Sequence, residues 1–367
     1  MKKCYLKDFP YISRAQLQAQ ADELVTFLST SKARTTLQWR TCASPFSSSS
    51  HSPSSSSSST SLSAPGRLGS QSRIVTCSSP AAPAALASHS PTSVPGKALT
   101  SPSSPRDVRN LEEAKQSIKL ATGREVSVFS ADVRDYGAVE RVIQDAGAID
   151  VLVCNHGVFI AQELEGQEME EIKFMMDANL MGSFHLIKAA LPGMKKSRAE
   201  RGPGSIAIMS SQADQVGIYG FTAYSASKFG LKGLGEALQH EIIADNIHVS
   251  LIFPPDTETP GFVRESKRRP QLTRTIAASS GAMKADEVAK KSLNGIQSGA
   301  FIVPCNLEGF LLSVATAGLS PQRSYMMAFV EVITAGIIRL TALFFQWNWY
   351  RSIEKQLAAG KIPLSIC

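Results

Sequence analysis

From residue 107 onward the apolar positions follow two spacings in turn, and the alternation predicts helices and strands in succession. Leu111 to Leu120 reads as the end of an amphipathic helix, and Glu125 to Ser130 as a strand. Tyr136 to Gly147 has helical spacing, whereas Ile149 to Asn155 is a nearly unbroken apolar run of the kind expected for a parallel strand covered on both faces. The series continues with a helix over Met169 to Lys196, a strand over Ser205 to Ser211, a helix over Tyr224 to Ala244 and a strand over Ile247 to Phe253. Strands alternating with helices of this length predict an α/β fold with a doubly wound parallel sheet. Such sheets bind ligands at the carboxyl ends of their strands. Asp132, Asn155, Ser210, Ser211 and Pro254 each follow a predicted strand.

The first hundred residues break this pattern. Residues 24 to 106 contain no Asp or Glu, and much of the stretch is Ser, Pro, Ala and Thr, which predicts a disordered tail over 1–105. Residues 1 to 106 carry eleven Lys and Arg against three acids, whereas residues 107 to 367 carry 27 against 28, so the net charge of +7 belongs to the tail. With a nearly neutral body and no interleaving of basic and aromatic residues, no nucleic-acid partner is expected. An acid-poor leader rich in Arg and Ser also resembles an organelle transit peptide, leaving a plastid or another organelle as an alternative destination. Six scattered cysteines without a C-x-x-C pair suggest a reducing compartment and no metal site.

The chemistry is concentrated between Ser210 and Lys228. Tyr224 and Lys228 are four residues apart, which puts them on one face of a helix, and a serine pair precedes the tyrosine by thirteen and fourteen residues. A phenol is a poor proton donor near neutral pH, and a neighbouring ammonium is expected to lower its pKa toward the working range. A serine hydroxyl beside it would hold a substrate oxygen.

Asp132-Val133, Cys154-Asn155-His156-Gly157, Asp177 to Gly182, Ser210-Ser211 and Tyr224-x-x-x-Lys228, in this order, resemble the short-chain dehydrogenase/reductase family. The Phe253 to Gly261 loop, with its double proline, and Ala277 to Gly281 resemble the 3-ketodihydrosphingosine reductase branch in particular. The similarity runs from about Arg106 to Lys355 and implies a Rossmann-type fold, NADPH as cofactor and a long-chain sphingoid ketone as substrate. It implies Tyr224 as proton donor, Lys228 as its modulator and ribose ligand, and Ser211, with Ser210 as competitor, as the substrate-orienting serine. Asn179 would hold a relay water. Asp132 and Val133 would meet adenine, Asn155 and Gly157 the ribose side, Pro254, Thr257 and Thr259 the nicotinamide amide, and Arg106 the 2′-phosphate. The residues alone also allow Asp132 as a helix N-cap and Asn179 as a backbone-satisfied helix residue. His156 and Asp214 depart from the family pattern, Asp214 standing where this branch has glycine.

The largest departure is the beginning of the fold. A dinucleotide-binding sheet starts with a strand and a Gly-rich turn that lets the backbone approach the pyrophosphate. Before residue 107 the only glycines are Gly66, Gly69 and Gly96, so the cofactor loop is missing and residues 106–305 are expected to form a truncated domain without its first strands. Arg73 to Cys77 is a weak candidate for a replacement strand. Residues 1 to about 105 would replace the normal beginning, as an alternative transcript or gene model produces. The alternatives to a working reductase of sphingoid ketones are a membrane-associated remnant that binds no cofactor and a reductase of another lipid ketone, such as a hydroxysteroid.

Residues 306–367 supply a hydrophobic extension. Tyr325 to Trp347 is mostly apolar apart from Glu331 and Arg339, long enough to cross a bilayer, and Trp347, Trp349, Tyr350, Arg351 and Lys355 resemble an interfacial belt with basic anchors. Membrane attachment is expected, with the endoplasmic reticulum, its cytosolic face, implied by the resemblance. A homo-oligomer is possible on the same ground.

Overall fold

The computed structural model describes residues 73–78, 97–100, 115–116, 119–120, 127–277, 281–322 and 324–358. Most of the expected disordered tail over 1–105, namely residues 1–72, 79–96 and 101–105, lies outside the described residues together with the expected transit peptide, as does Arg106, whereas Ile74–Ser78 and Lys97–Thr100 within it are paired strands.

Seven parallel strands form one sheet in the order β3-β2-β1-β4-β5-β6-β9. They are β1 Ile74–Ser78, β2 Lys97–Thr100, β3 Ser127–Ser130, β4 Val151–Asn155, β5 Gly204–Met209, β6 Ile247–Phe253 and β9 Ile302–Pro304. A two-stranded ribbon, β7 Asp256–Glu258 with β8 Ala282–Lys284, stands apart from the sheet. The doubly wound sheet agrees with the apolar periodicity. In β5 and β6 every residue is buried, as a strand covered on both faces requires.

The expectation of missing first strands is corrected. Ile74–Ser78 occupies the central slot, paired in parallel with β2 on one side and β4 on the other. Val75 and Cys77 are buried in the core with Leu152, Cys154, Ile206 and Ile208. The physical reason is hydrogen-bond accounting: an empty central slot strands the backbone groups of two neighbours, at about 1–3 kcal/mol for each group left unpaired. A short β-branched and apolar run is enough to fill it.

Asp150 fixes the entry of β1. Its carboxylate accepts the backbone N–H of Arg73 at 2.7 Å and the guanidinium of Arg198 at 2.6 Å, and Arg201 pairs with its other side. The N–H groups of Asp150 and Val151 in turn donate to the Arg73 carbonyl at 3.0 and 3.1 Å. Burial pushes the Asp150 carboxyl up, but Arg201, the Arg73 N–H and Arg198 together hold it down at about 2.

Among the described residues the α-helices of six residues or more are α1 Tyr136–Ala146, α2 Met169–Met175, α3 Gly182–Lys196, α4 Thr222–Ile242, α5 Pro260–Glu265, α6 Gln271–Ala277, α7 Ala285–Ser298, α8 Leu307–Ala315 and α9 Tyr325–Ala358. The single helix expected over Met169 to Lys196 is divided into α2 and α3 by a π-helical turn, Met176–Met181. Such turns free backbone groups and recur at functional sites. Asp135 rather than Asp132 caps α1, accepting from Ala138 N at 3.1 Å. Within α9 an apolar span, Tyr325–Gln356, is long enough to cross a membrane, with mean hydropathy 1.9 and none of its most apolar window buried.

Candidate active site

The strand order reverses between β1 and β4, where Ser78 is in register with Asn155. That reversal opens a crevice at the carboxyl ends of the strands. A cavity of about 200 Å³ lies on this side of the sheet, with Asn155, His156, Gly157, Ser211, Tyr224 and Lys228 in its walls.

Tyr224 and Lys228 lie one turn apart on α4, and the Lys228 ammonium is 5.7 Å from the centre of the Tyr224 ring. Its Nζ donates to the Met209 carbonyl at the end of β5, 3.0 Å away. Ser211 lies close enough to the Tyr224 hydroxyl to lower its pKa, and both line the cavity. Phe159 and Phe221 pack edge-on against the Tyr224 ring at 4.6 and 5.9 Å.

The two serines have separate partners. Ser211 precedes the 3-10 turn Gln212–Asp214, where its Oγ accepts from Ala213 N at 3.2 Å. The Ser210 hydroxyl donates to Asp214, whose side chain is fully buried. Of the pair, Ser211 therefore meets the phenol.

The electrostatics differ from the expectation that a lysine lowers the tyrosine pKa. Burial raises the Tyr224 phenol well above its ordinary value, Ser211 lowers it, and Glu265, Asp256 and Asp214 raise it further. Burial also lowers Lys228 to about 8, against an upward pull from Asp214. Burial comes first among the causes, followed by the Ser211 contribution and then three carboxylates, and the Lys228 ammonium is not among them. Asp214 is raised to about 7 by burial, opposed by Ser210, Lys232 and Lys228.

Asn179 lies in the π-helical turn behind the cavity wall and is fully buried. Its Oδ1 accepts from Val158 N at 2.7 Å, and its Nδ2 donates to Val158 O and Ser227 Oγ, both at 2.9 Å. The side chain thus clamps the Gly157-Val158 segment to α4. A Cβ at Gly157 would lie 3.2 Å from Asn179 Oδ1, a tight contact, and 3.7 Å from Lys228 Nζ, an ordinary one, so glycine leaves more room here.

Pro254, Thr257 and Thr259 line the cavity from the loop after β6. Thr259 Oγ1 accepts from Phe262 N at 3.1 Å and starts α5, while Thr257 Oγ1 donates to Pro255 O. Asp132 and Val133 are not part of this cavity. The Asp132 carboxylate is bridged by Arg134 at 2.6 Å, and the Val133 carbonyl accepts from His185 Nδ1 at 2.8 Å.

Sequence reasoning noted His156 only as a departure from the family pattern, and missed Asp256, Glu265 and Arg269. His156 is buried in the wall and held neutral, its pKa lowered to about 3 by burial and by Lys228. It fits because residue 182 is glycine: a Cβ there would lie 2.9 Å from His156 Nε2. Asp256 is paired with Arg269 at 2.5 Å, and the Arg269 guanidinium sits among Phe159, Phe221 and Phe262 at 5.3, 5.3 and 5.2 Å from the ring centres. Glu265 lines the same cavity. Only the acids and aromatics of the loop gave any sign of this in the sequence; their meeting is tertiary.

The fold agrees with comparisons to known proteins. Residues 103–270 match the model of the short chain dehydrogenase family. A 3-dehydrosphinganine reductase of Arabidopsis thaliana is 62% identical over 250 residues, covering 68% of this chain and 76% of that protein. A 3-dehydrosphinganine reductase of Danio rerio is 38% identical over 248 residues, covering 65% of this chain and 74% of that protein. Among solved structures, a variant actinorhodin polyketide ketoreductase with NADPH has a TM-score of 0.56 at 20% identity, covering 64% of this chain and 95% of that one. A short chain dehydrogenase from Mycobacterium paratuberculosis bound to NAD has a TM-score of 0.53 at 20% identity, covering 65% and 97%. With the parallel sheet, the Ser211, Tyr224 and Lys228 arrangement at its carboxyl edge and these relatives together, the chain belongs to the short-chain dehydrogenase family.

Proposed function

We propose that this chain reduces 3-dehydrosphinganine to sphinganine with NADPH, a step of sphingolipid synthesis. The carrying observation is that Ser211, Tyr224 and Lys228 line one cavity, with Lys228 one helical turn on from Tyr224, in a chain 62% identical to a reductase of that name.

The residues present fit one half of a nicotinamide dinucleotide. Gly157 keeps the space before Asn179 and Lys228 clear, and Asn155, Pro254, Thr257 and Thr259 surround the same space as candidate ligands of the ribose and amide. Arg106 would favour the 2′-phosphate and so NADPH. A reduced nicotinamide supplies the hydride that the carbonyl carbon accepts. The chain's own residues handle the oxygen. Ser211 and Tyr224 hold it by hydrogen bonds, and Tyr224 transfers its phenolic proton as negative charge develops there. The Lys228 ammonium then lies near the phenolate left behind. Asn179 supports the arrangement by fixing the Gly157-Val158 backbone.

We attach the protein to the membrane of the endoplasmic reticulum through α9, with the catalytic domain facing the cytosol. Its exposed Phe329, Ile333, Ile337, Leu340 and Phe344 favour this, and it would bring the site to a lipid substrate. Glu331, one of two acids within the apolar span, accepts from Gln322 at 2.8 Å.

One observation favours a second reading, a membrane-associated protein that binds no cofactor. Between β1 and β2, residues 79–96 contain a single glycine, Gly96, and no Gly-rich turn for the pyrophosphate. Titration of the full chain with NADPH, followed by nucleotide fluorescence, separates the two. Saturable enhancement supports the reductase, and an unchanged signal up to millimolar NADPH supports the second reading.

A further inference from the structure

Ser211 stands at the head of a three-residue 3-10 turn, and so short a turn fixes a hydroxyl poorly by itself. What holds it comes from far along the chain. The Gln212 side chain is buried, and its Nε2 donates to Asn306 Oδ1 at 2.7 Å. Asn306 is the N-cap of α8, and the same Oδ1 accepts from Gly309 N at 2.7 Å. Gln215, just after the serine turn, is buried too, and its Nε2 donates to Ser313 Oγ at 2.7 Å. The two contacts span 94 and 98 residues of sequence. The fit is close at position 309, where a Cβ would lie 2.9 Å from Gln212 Nε2 and 3.1 Å from Asn306 Oδ1.

The turn is fastened on its other side by backbone. Gln212 N donates to the carbonyl of Pro254, a residue of the cavity wall, at 3.2 Å. α8 reaches the tyrosine helix as well: Lys232, one turn beyond Lys228 on α4, donates to the carbonyl of Thr316, the residue after α8, at 3.0 Å. One helix thus touches both elements that carry the catalytic side chains, and α9 packs against it. Buried amides joined in this way hold their elements in a single arrangement.

We propose that Gln212, held by Asn306, is a positioning residue that aims the Ser211 hydroxyl at the substrate oxygen, with Gln215 and Ser313 as a second fastening. This deepens the function proposed above and rests on it. It gives the C-terminal extension a part in the chemistry besides the membrane attachment proposed for α9, because α8 is the wall against which the serine turn is set. Without the amide the turn can shift, and a reacting group misplaced by about 1 Å costs about 10²-fold in rate.

The test uses the full chain in detergent micelles and reads NADPH-dependent turnover of 3-dehydrosphinganine, NADPH binding and amide hydrogen exchange across residues 211–216. Gln212→Met keeps the length of the side chain and removes its amide. It should lower kcat by about tenfold, leave the Kd for NADPH within about twofold, and speed exchange in the turn. Asn306→Asp keeps both the cap and the acceptor oxygen and should stay within about threefold of the parent kcat. In a Ser211→Ala background Gln212→Met should add less than about twofold, since a residue that acts through the serine has nothing left to aim. Ser313→Ala, a smaller change that keeps the fold should Gln212→Met lose it, is expected to show the same dependence on Ser211. Equal losses in the two backgrounds, or a parent kcat in Gln212→Met, overturn the proposal. A parent chain that reduces no ketone overturns the reductase reading, and exchange then decides the fastening: faster exchange in Gln212→Met upholds it and unchanged exchange overturns it.

Discussion

Asp150 accepts the backbone N–H of Arg73 at 2.7 Å, so a single carboxylate from the loop before β4 sets where β1 enters the sheet. The contact spans 77 residues of sequence. It explains how a five-residue strand at the end of an unusual leader takes the central position. Replacing Asp150 by Ala leaves Arg198 buried without its counter-charge, and an equilibrium denaturation curve is expected to show a loss of about 3–5 kcal/mol. A loss below about 1 kcal/mol would contradict this role for Asp150.

Acid should act through the same carboxylate. Its folded pKa, about 2, lies below the ordinary value of 3.8, so its contribution is fully present above the unfolded pKa and is lost as pH falls from about 4 toward 2. Thermal melts across that range should show Tm falling more steeply in the unsubstituted protein than in Asp150→Asn. Parallel slopes would count against it.

Asp214 has the opposite sign. Its folded pKa is raised to about 7 from 3.8, so the folded state binds the extra proton between these values and stability falls as pH rises through that window. Asp214→Asn removes the dependence and should stabilise the protein at pH 8 by about 2–4 kcal/mol, read from denaturation curves at pH 5 and pH 8. The same substitution withdraws a charge that holds Lys228 up, so the high-pH fall in kcat/KM should move to lower pH. An unmoved profile would separate Asp214 from the lysine.

The separate roles of the serines give a sharper contrast. Ser211→Ala removes the hydroxyl beside the Tyr224 phenol and should lower kcat by about 10²-fold or more. Ser210→Ala leaves the buried Asp214 carboxyl without its donor, so its larger effect should be on stability, about 1–3 kcal/mol. Paired kinetic and unfolding measurements on the two variants check this, and a reversed pattern would exchange their assignments.

Membrane attachment through α9 is tested by charge. Ile337 and Leu340 are exposed on the helix, and lysine at both adds about 2.5–3.5 kcal/mol per residue against burial at mid-bilayer. Flotation with liposomes should be lost in the double variant and retained in the parent chain. Equal flotation would place the membrane contact elsewhere.

What the sequence made legible was local. The unbroken apolar runs of β4, β5 and β6 and the four-residue step from Tyr224 to Lys228 follow from short-range periodicity. β1 was legible only as the weak candidate Arg73 to Cys77, because Ile74–Ser78 is five residues without the Gly-rich turn that marks such a strand, and its evidence is its partners on either side. The same holds for Asp256 with Arg269, thirteen residues apart, and for Asn179 with Ser227, 48 apart. Ser210 and Ser211 are adjacent and alike in type, and only the position of Asp214 turns one of them away from the phenol. The tyrosine pKa was misjudged for a related reason: burial and three carboxylates gathered from separate segments set it, and no spacing in the chain reveals their sum.

The most direct test of the account is formation of sphinganine from 3-dehydrosphinganine by the purified full chain with NADPH, followed by mass spectrometry beside Tyr224→Phe. The account predicts product from the parent chain and a loss of about 10³-fold or more in the variant, since phenylalanine has no proton to give. Absence of product from a folded parent chain that binds NADPH, or equal rates in the two proteins, would contradict it.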